Sequence, residues 1–189
     1  MEGLDFGDWR AAVLAADAAD WITVAAYGVA ALPCLRAASA AARGTTAERT
    51  FWRLCALIMV LLGINEVFDF QTVLTAFGKA TARAQGWYAQ RRAVQLGFVI
   101  VLAAGAALTA AGALVLTRKA HRTVRLALLG LLFIGAFILF RAASFHHVDA
   151  LLGLGPDWFN LGSFQEMAGI GIVAIAAYRY ARRAGAAAA

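Results

Sequence analysis

The chain predicts an all-α fold, a polytopic transmembrane bundle of five spans with the N-terminus outside and the C-terminus inside. Three observations predict it. Of 189 residues, 62% are hydrophobic and 15% charged, against roughly 45–50% and 25% in an ordinary soluble domain. Mean hydropathy is +0.72, and the apolar residues gather in runs of about 20, the length that crosses some 30 Å of hydrocarbon at 1.5 Å per residue. Basic residues cluster in alternate connections. The length gives one domain, residues 1–183, with an Ala/Gly-rich tail over 184–189.

The spans fall near 18–40, 52–74, 92–116, 124–146 and 158–178. Lipid cannot satisfy free backbone groups, and no segment alternates as barrel strands do, so the spans are helical. Trp9, Trp21, Trp52, Trp87 and Trp158 fall at segment ends or in flanks, where an indole suits the headgroup region. Residues 4–16, with Leu4, Phe6, Trp9, Val13 and Ala16 among acids, suggest an interfacial helix or a frayed tail. The start lacks the basic n-region of a removable signal, so the first apolar segment is expected to stay. In the third span Gly97, Gly105 and Gly112 share a face that permits close helix approach, and Gly162, Gly169 and Gly171 offer the same in the fifth. Cys34 and Cys55 have no C-x-x-C spacing and read as packing residues.

Orientation follows from charge. Arg36, Arg43, Arg49 and Arg53 lie in or beside the first connection, Arg118, Lys119, Arg122 and Arg125 in or beside the third, and Arg179, Arg182 and Arg183 in the tail. The positive-inside rule makes these regions cytoplasmic. The net charge of +6 then separates into an inner +10, eleven Lys/Arg less Glu48, and an outer −4, six Lys/Arg less ten acids. The basic excess sets orientation, and nucleic acid is not an expected partner; the bilayer is.

Polar groups crowd the outer ends of the second to fifth spans. Glu66 lies about eight residues before the outer end of its span and Glu166 about eight after Trp158, each roughly 12 Å deep, with Arg141 expected at comparable depth. An ionisable group at that depth faces protein or water and takes a partner, so Glu66, Glu166 and Arg141 are expected to converge. A proton is the least demanding neutraliser of the surplus acid. An interhelical polar clasp is the structural alternative.

A second polar layer lies nearer the surface. Asp69 shares a helical face with Asn65 and Glu66, while Tyr88, Arg91 or Arg92, and Gln95 form a stripe. Ser144 aligns with His147 and His146 with Asp149, and the fifth span adds Asn160 and Ser163. Together these make an outward-facing pocket. Glu66, Asp69, His147 and Glu166 are its catalytic candidates; Arg91, Arg92, Arg141 and Asn160 are its candidate substrate-binding groups. His146, His147 and Asp149 form H-H-x-D, whose nitrogens and oxygens suit a divalent transition metal such as zinc; solvated interfacial histidines are the alternative. Haem between facing histidines is disfavoured, because His121 lies in the opposite connection. Nucleotide-binding and serine-nucleophile motifs are absent.

The blocks G-I-N-E-V-F-D-F-Q-T from Gly63, G-W-Y-A-Q-R-R from Gly86 and R-A-A-S-F-H-H-V-D from Arg141 resemble a family of small bacterial multi-pass inner-membrane proteins without an assigned activity. The resemblance covers the second to fourth spans and implies a bacterial inner-membrane location. A distant comparison is the membrane hydrolase superfamily containing alkaline ceramidases, whose H-x-x-x-H is missing here. The function expected is a membrane enzyme, in one version metal-dependent, acting on a lipid or amphipathic substrate from the periplasmic side. The alternative is a non-enzymatic accessory or assembly subunit with a membrane-protein partner. A proton-coupled carrier ranks third, since the sequence shows no repeated halves and the polar groups occupy one side.

Overall fold

The computed structural model describes residues 14, 18–41, 45–68, 73, 77, 81, 83–86, 91–118, 120–143 and 161–186, excepting the side chains of 91–95, 98, 99, 102, 116, 140–143 and 161. Among the described residues, five helices follow in order: α1 (Ala18–Ala40), α2 (Thr46–Phe68), α3 (Arg91–Leu116), α4 (Arg122–Ala143) and α5 (Leu161–Ala186). The stretches Ala18–Ala40, Thr46–Phe68 and Arg122–Leu139 are long and apolar enough to cross a membrane. Their outward faces agree: Ile22, Val29, Leu32 and Leu35 of α1 and Leu54, Leu57, Val60 and Leu61 of α2 are all exposed. An uninterrupted apolar surface of this kind is at home in lipid. In α5, Gln165 and Glu166 at one end and Arg179 at the other leave residues 167–178 between them free of charge.

The helices pack in the order α2, α1, α5, α4, with α3 lying against the far side of α4. The core is built from small residues on α1 (Ala30, Ala31, Cys34, Ala37, Ala38), met by Trp52, Cys55, Ala56 and Met59 of α2 and by Ile170, Val173, Ala176 and Ala177 of α5. Small side chains bring backbones close, the chief source of helix association where lipid is as apolar as leucine. Two contacts set the spacing. A Cβ on Gly63 would meet Tyr27 Cβ at 3.1 Å, which seats α2 on α1. Gly130 and Gly169 face each other across α4 and α5, where a Cβ on Gly169 would meet Gly130 O at 3.2 Å.

The third-span glycines behave otherwise. A Cβ on Gly97, Gly105 or Gly112 would meet nothing within 4 Å, so this stripe forms no helix crossing among the described residues. Its spacings of eight and seven residues keep the three glycines on one helical face.

Helix ends follow local chemistry. Thr45 caps α2: its Oγ1 accepts the Glu48 N–H at 3.3 Å, the pairing that a T-x-x-E sequence supports. His121 caps α4, with ring Nδ1 accepting the Thr123 N–H at 3.3 Å and lying 2.8 Å from Thr123 Oγ1. Hydroxyls within helices are satisfied locally. Thr23, Ser39, Thr109 and Thr117 each donate to the carbonyl four residues back, which spares them a partner in an apolar setting.

Candidate functional site

Glu166 lies in the first turns of α5 and is 6% exposed. Its Oε1 accepts a 2.6 Å hydrogen bond from Tyr27 Oη of α1, a residue itself 1% exposed. At 2.6 Å the contact lies within the roughly 2.5–3.0 Å range of a well-formed O–H···O hydrogen bond. The bond joins the first and last helices, 139 residues apart in sequence. Both residues lie in the N-terminal halves of their helices, so α1 and α5 run the same way while α2 and α4 run against them.

The close seat at Gly63 brings α2 to the same place. Glu66 is three residues beyond Gly63, on the face turned toward Tyr27, and is half-buried. Asn65 and Ser163 are half-buried nearby in sequence. Gln165 Nε2 donates to Phe133 O of α4 at 3.4 Å. The site is therefore a buried phenol–carboxyl pair with a second acid on an adjacent helix, held by two glycine-mediated approaches.

For the expected convergence of Glu66, Glu166 and Arg141, the described residues give the backbone register. Gly130 opposite Gly169 and Phe133 opposite Gln165 run α4 antiparallel to α5 and place Glu166 level with the Leu132–Phe133 stretch. The Arg141 backbone is eight or nine residues nearer the helix end, roughly 12 Å away along the axis. Its side chain is outside the described residues, as are those of Arg91, Arg92 and Gln95, although α3 begins at Arg91, one residue before the expected start. Asp69, Tyr88, Ser144, His146, His147, Asp149 and Asn160, with the segment 4–13 and Trp9, Trp87 and Trp158, also lie outside them. Among the described residues no group of three His, Cys, Asp or Glu side chains is placed to hold a metal ion.

Tyr27 is the residue of this buried pair that sequence reasoning missed. The available signal was depth. Tyr27 follows Ala18 by nine residues, or roughly 13 Å, close to the roughly 12 Å assigned to Glu166, and it is a hydrogen-bonding aromatic inside an otherwise apolar stretch.

At the opposite end of the bundle, Glu48 gathers three elements. Its Oε2 accepts from Tyr180 Oη of α5 at 2.8 Å, and its Oε1 accepts from the His121 N–H at 3.5 Å. The His121 ring stands edge-on to Tyr180, with centroids 5.9 Å apart. Tyr180 lies beyond the predicted end of the fifth span; burial, with the bonded Glu48 carboxylate adding to it, pushes its phenol up to about 12. Trp52 packs 5.2 Å from Tyr180 and is fully buried. It is thus a core ring rather than the interfacial anchor expected, because α2 starts at Thr46, six residues before it. Its Nε1 has no partner among the described atoms. Cys34 and Cys55 are buried free thiols, in keeping with a packing role.

The fold and its buried pair define a class, an α-helical bundle with membrane-length apolar helices. Comparison with protein-family models, curated proteins and solved structures finds no match.

Proposed function

We propose that the chain is a five-span bacterial inner-membrane protein, N-terminus outside and C-terminus inside, whose periplasmic half carries an acid–base site for a lipid or other amphipathic substrate. The observation that carries the reading is the buried 2.6 Å bond from Tyr27 Oη to Glu166 Oε1. A carboxyl group at membrane depth is costly and marks a functional position by default. In this reading Glu166 exchanges a proton with the substrate, Tyr27 fixes its orientation, and Glu66 sits beside it as the second acid. Asp69 and His147 act nearer the surface, while Arg91, Arg92, Arg141 and Asn160 receive anionic and polar groups of the substrate. In its metal-dependent version, His146, His147 and Asp149 hold an ion such as zinc. Five spans are supported by the alternating directions of α1, α2, α4 and α5 and by the basic residues collected at the α1–α2 and α3–α4 connections and at the end of α5.

The test uses the purified chain reconstituted with a total bacterial inner-membrane lipid extract, with products followed by mass spectrometry. Positioned acid–base groups contribute about 10²–10⁴-fold, so Glu166→Gln should lower turnover by at least about 10² and Tyr27→Phe by less. Equal product from wild type and Glu166→Gln, or none from either, overturns the reading. Metal analysis on the same sample decides the metal-dependent version: a stoichiometric ion lost in His147→Ala supports it, and no ion removes it.

The accessory-subunit reading is favoured by one observation, the open stripe of Gly97, Gly105 and Gly112 on α3. Isolation as a stable monomer without a copurifying partner would remove it.

A further inference from the structure

The last turns of α5 carry a second feature, about 20 Å along the helix from Glu166. An open surface groove of about 410 Å³ is lined by Tyr178, Arg179, Arg182, Arg183 and Ala186, all of them side chains of α5. The guanidinium carbon of Arg182 lies 5.8 Å from the centroid of the Tyr178 ring, which holds one arginine against an aromatic wall. The three arginines are exposed and within one helical turn of each other. Their like charges repel at this spacing, and among the described residues no carboxylate lines the groove. Glu48, the one acid assigned to this side by the charge distribution, is engaged by Tyr180 and the His121 N–H.

We infer that this groove binds the phosphate headgroup of an anionic phospholipid of the inner leaflet. Three guanidinium forks around one space match the oxygens of a phosphate and supply the counter-charge it needs. A lipid is favoured over a soluble phosphate by what adjoins the arginines. Ile175, Tyr178 and Arg182 follow one another at i, i+3 and i+7 on one face of α5, and Ile175 and Tyr178 are each 51% exposed. An acyl chain can lie along that apolar track while its phosphate sits at Arg182. Tyr178 occupies the level between them, where an amphipathic ring is at home. The inference is independent of the chemistry proposed at Glu166.

The full-length protein in neutral detergent micelles is titrated with phosphatidylglycerol, phosphatidylcholine and inorganic phosphate, with bound lipid counted by native mass spectrometry. Phosphatidylglycerol should bind at one per chain and at least tenfold more tightly than phosphatidylcholine. Each basic residue near an anionic headgroup is worth about fivefold in affinity, so Arg179→Gln, Arg182→Gln and Arg183→Gln combined should lose about a hundredfold. The corresponding triple lysine variant, which keeps charge but loses the planar fork, should lose less than tenfold. If the triple glutamine variant does not fold, Arg182→Gln alone, read against Arg182→Lys, replaces it with an expected loss of about fivefold. Equal affinity for the two lipids, wild-type binding by the glutamine variants, or full competition by inorganic phosphate at the lipid's own concentration would each overturn the inference.

Discussion

An alanine at Gly169 would bring a methyl group 2.5 Å from Ile134 Cγ1, 3.2 Å from Gly130 O and 3.4 Å from Ile134 Cδ1. Carbon atoms rest at about 3.5–4.0 Å, so Ile134 must retreat by roughly 1 Å or the helices must part. Ile134 is 1% exposed and has nowhere to turn; overpacking of this kind costs about 1–3 kcal/mol. Against it stands the preference of a helix for alanine over glycine, about 1 kcal/mol. The net expectation for Gly169→Ala is a loss of up to about 2 kcal/mol. Gly171 supplies the control two residues away, since its added Cβ meets nothing within 4 Å. Gly171→Ala should therefore keep the helix gain alone, leaving the two variants about 1–3 kcal/mol apart. Unfolding free energies from denaturing-detergent titration in mixed micelles measure that difference. A Gly169→Ala protein as stable as Gly171→Ala would refute the close α4–α5 contact and the register derived from it.

A double-mutant cycle on Tyr27→Phe and Glu166→Gln, measured in the same micelles, should return a coupling of about 1–3 kcal/mol, as expected of a buried bond to a charged or strongly polar group; additive effects would contradict the contact. Tyr180 binds its proton more tightly folded than unfolded, so its contribution to stability is complete below about pH 10 and lost as pH rises toward about 12. Stability measured across that alkaline range should fall more steeply for wild type than for Tyr180→Phe, and parallel curves would exclude the Glu48 contact. Cys34 and Cys55 should resist a maleimide in the folded protein and react once it is unfolded, because both are almost wholly buried; rapid labelling of the native state would place them elsewhere.

Helix number and type were legible because a membrane imposes a length and forbids bare backbone. α1 begins and ends where the hydrophobic run does, and α3 differs by one residue at its start. α2 starts six residues earlier than the span at 52–74, because the helix starts at its cap and not at its first apolar residue. Thr45 and Glu48 spell that cap, so the correction could have been made from the sequence. α5 reaches Ala186 rather than stopping at Tyr178, since arginines extend a helix into water without breaking it. Burial was harder to foresee. Trp52 shares its position near a run's end with true interfacial tryptophans, and only the packing of α5 across it makes it core. Likewise Gly169 forms a contact while Gly171 and Gly105 do not, a distinction set by helix rotation and not by composition. Glu66 and Glu166 stood out by the cost of their depth; Tyr27 did not, because a tyrosine in an apolar stretch carries no such penalty until its hydroxyl is asked for a partner.

The seam between α1 and α5 also imposes an order on synthesis. The small-residue face of α1 and the hydroxyl of Tyr27 are made first, and the surface that covers them, with Glu166, is made last. Until α5 is made, the face of α1 that α5 covers lacks that cover. Closure of the core is thus a late, long-range event. A chain stopped before residue 161 would leave the small-residue face of α1 and the Tyr27 hydroxyl without the helix that covers them.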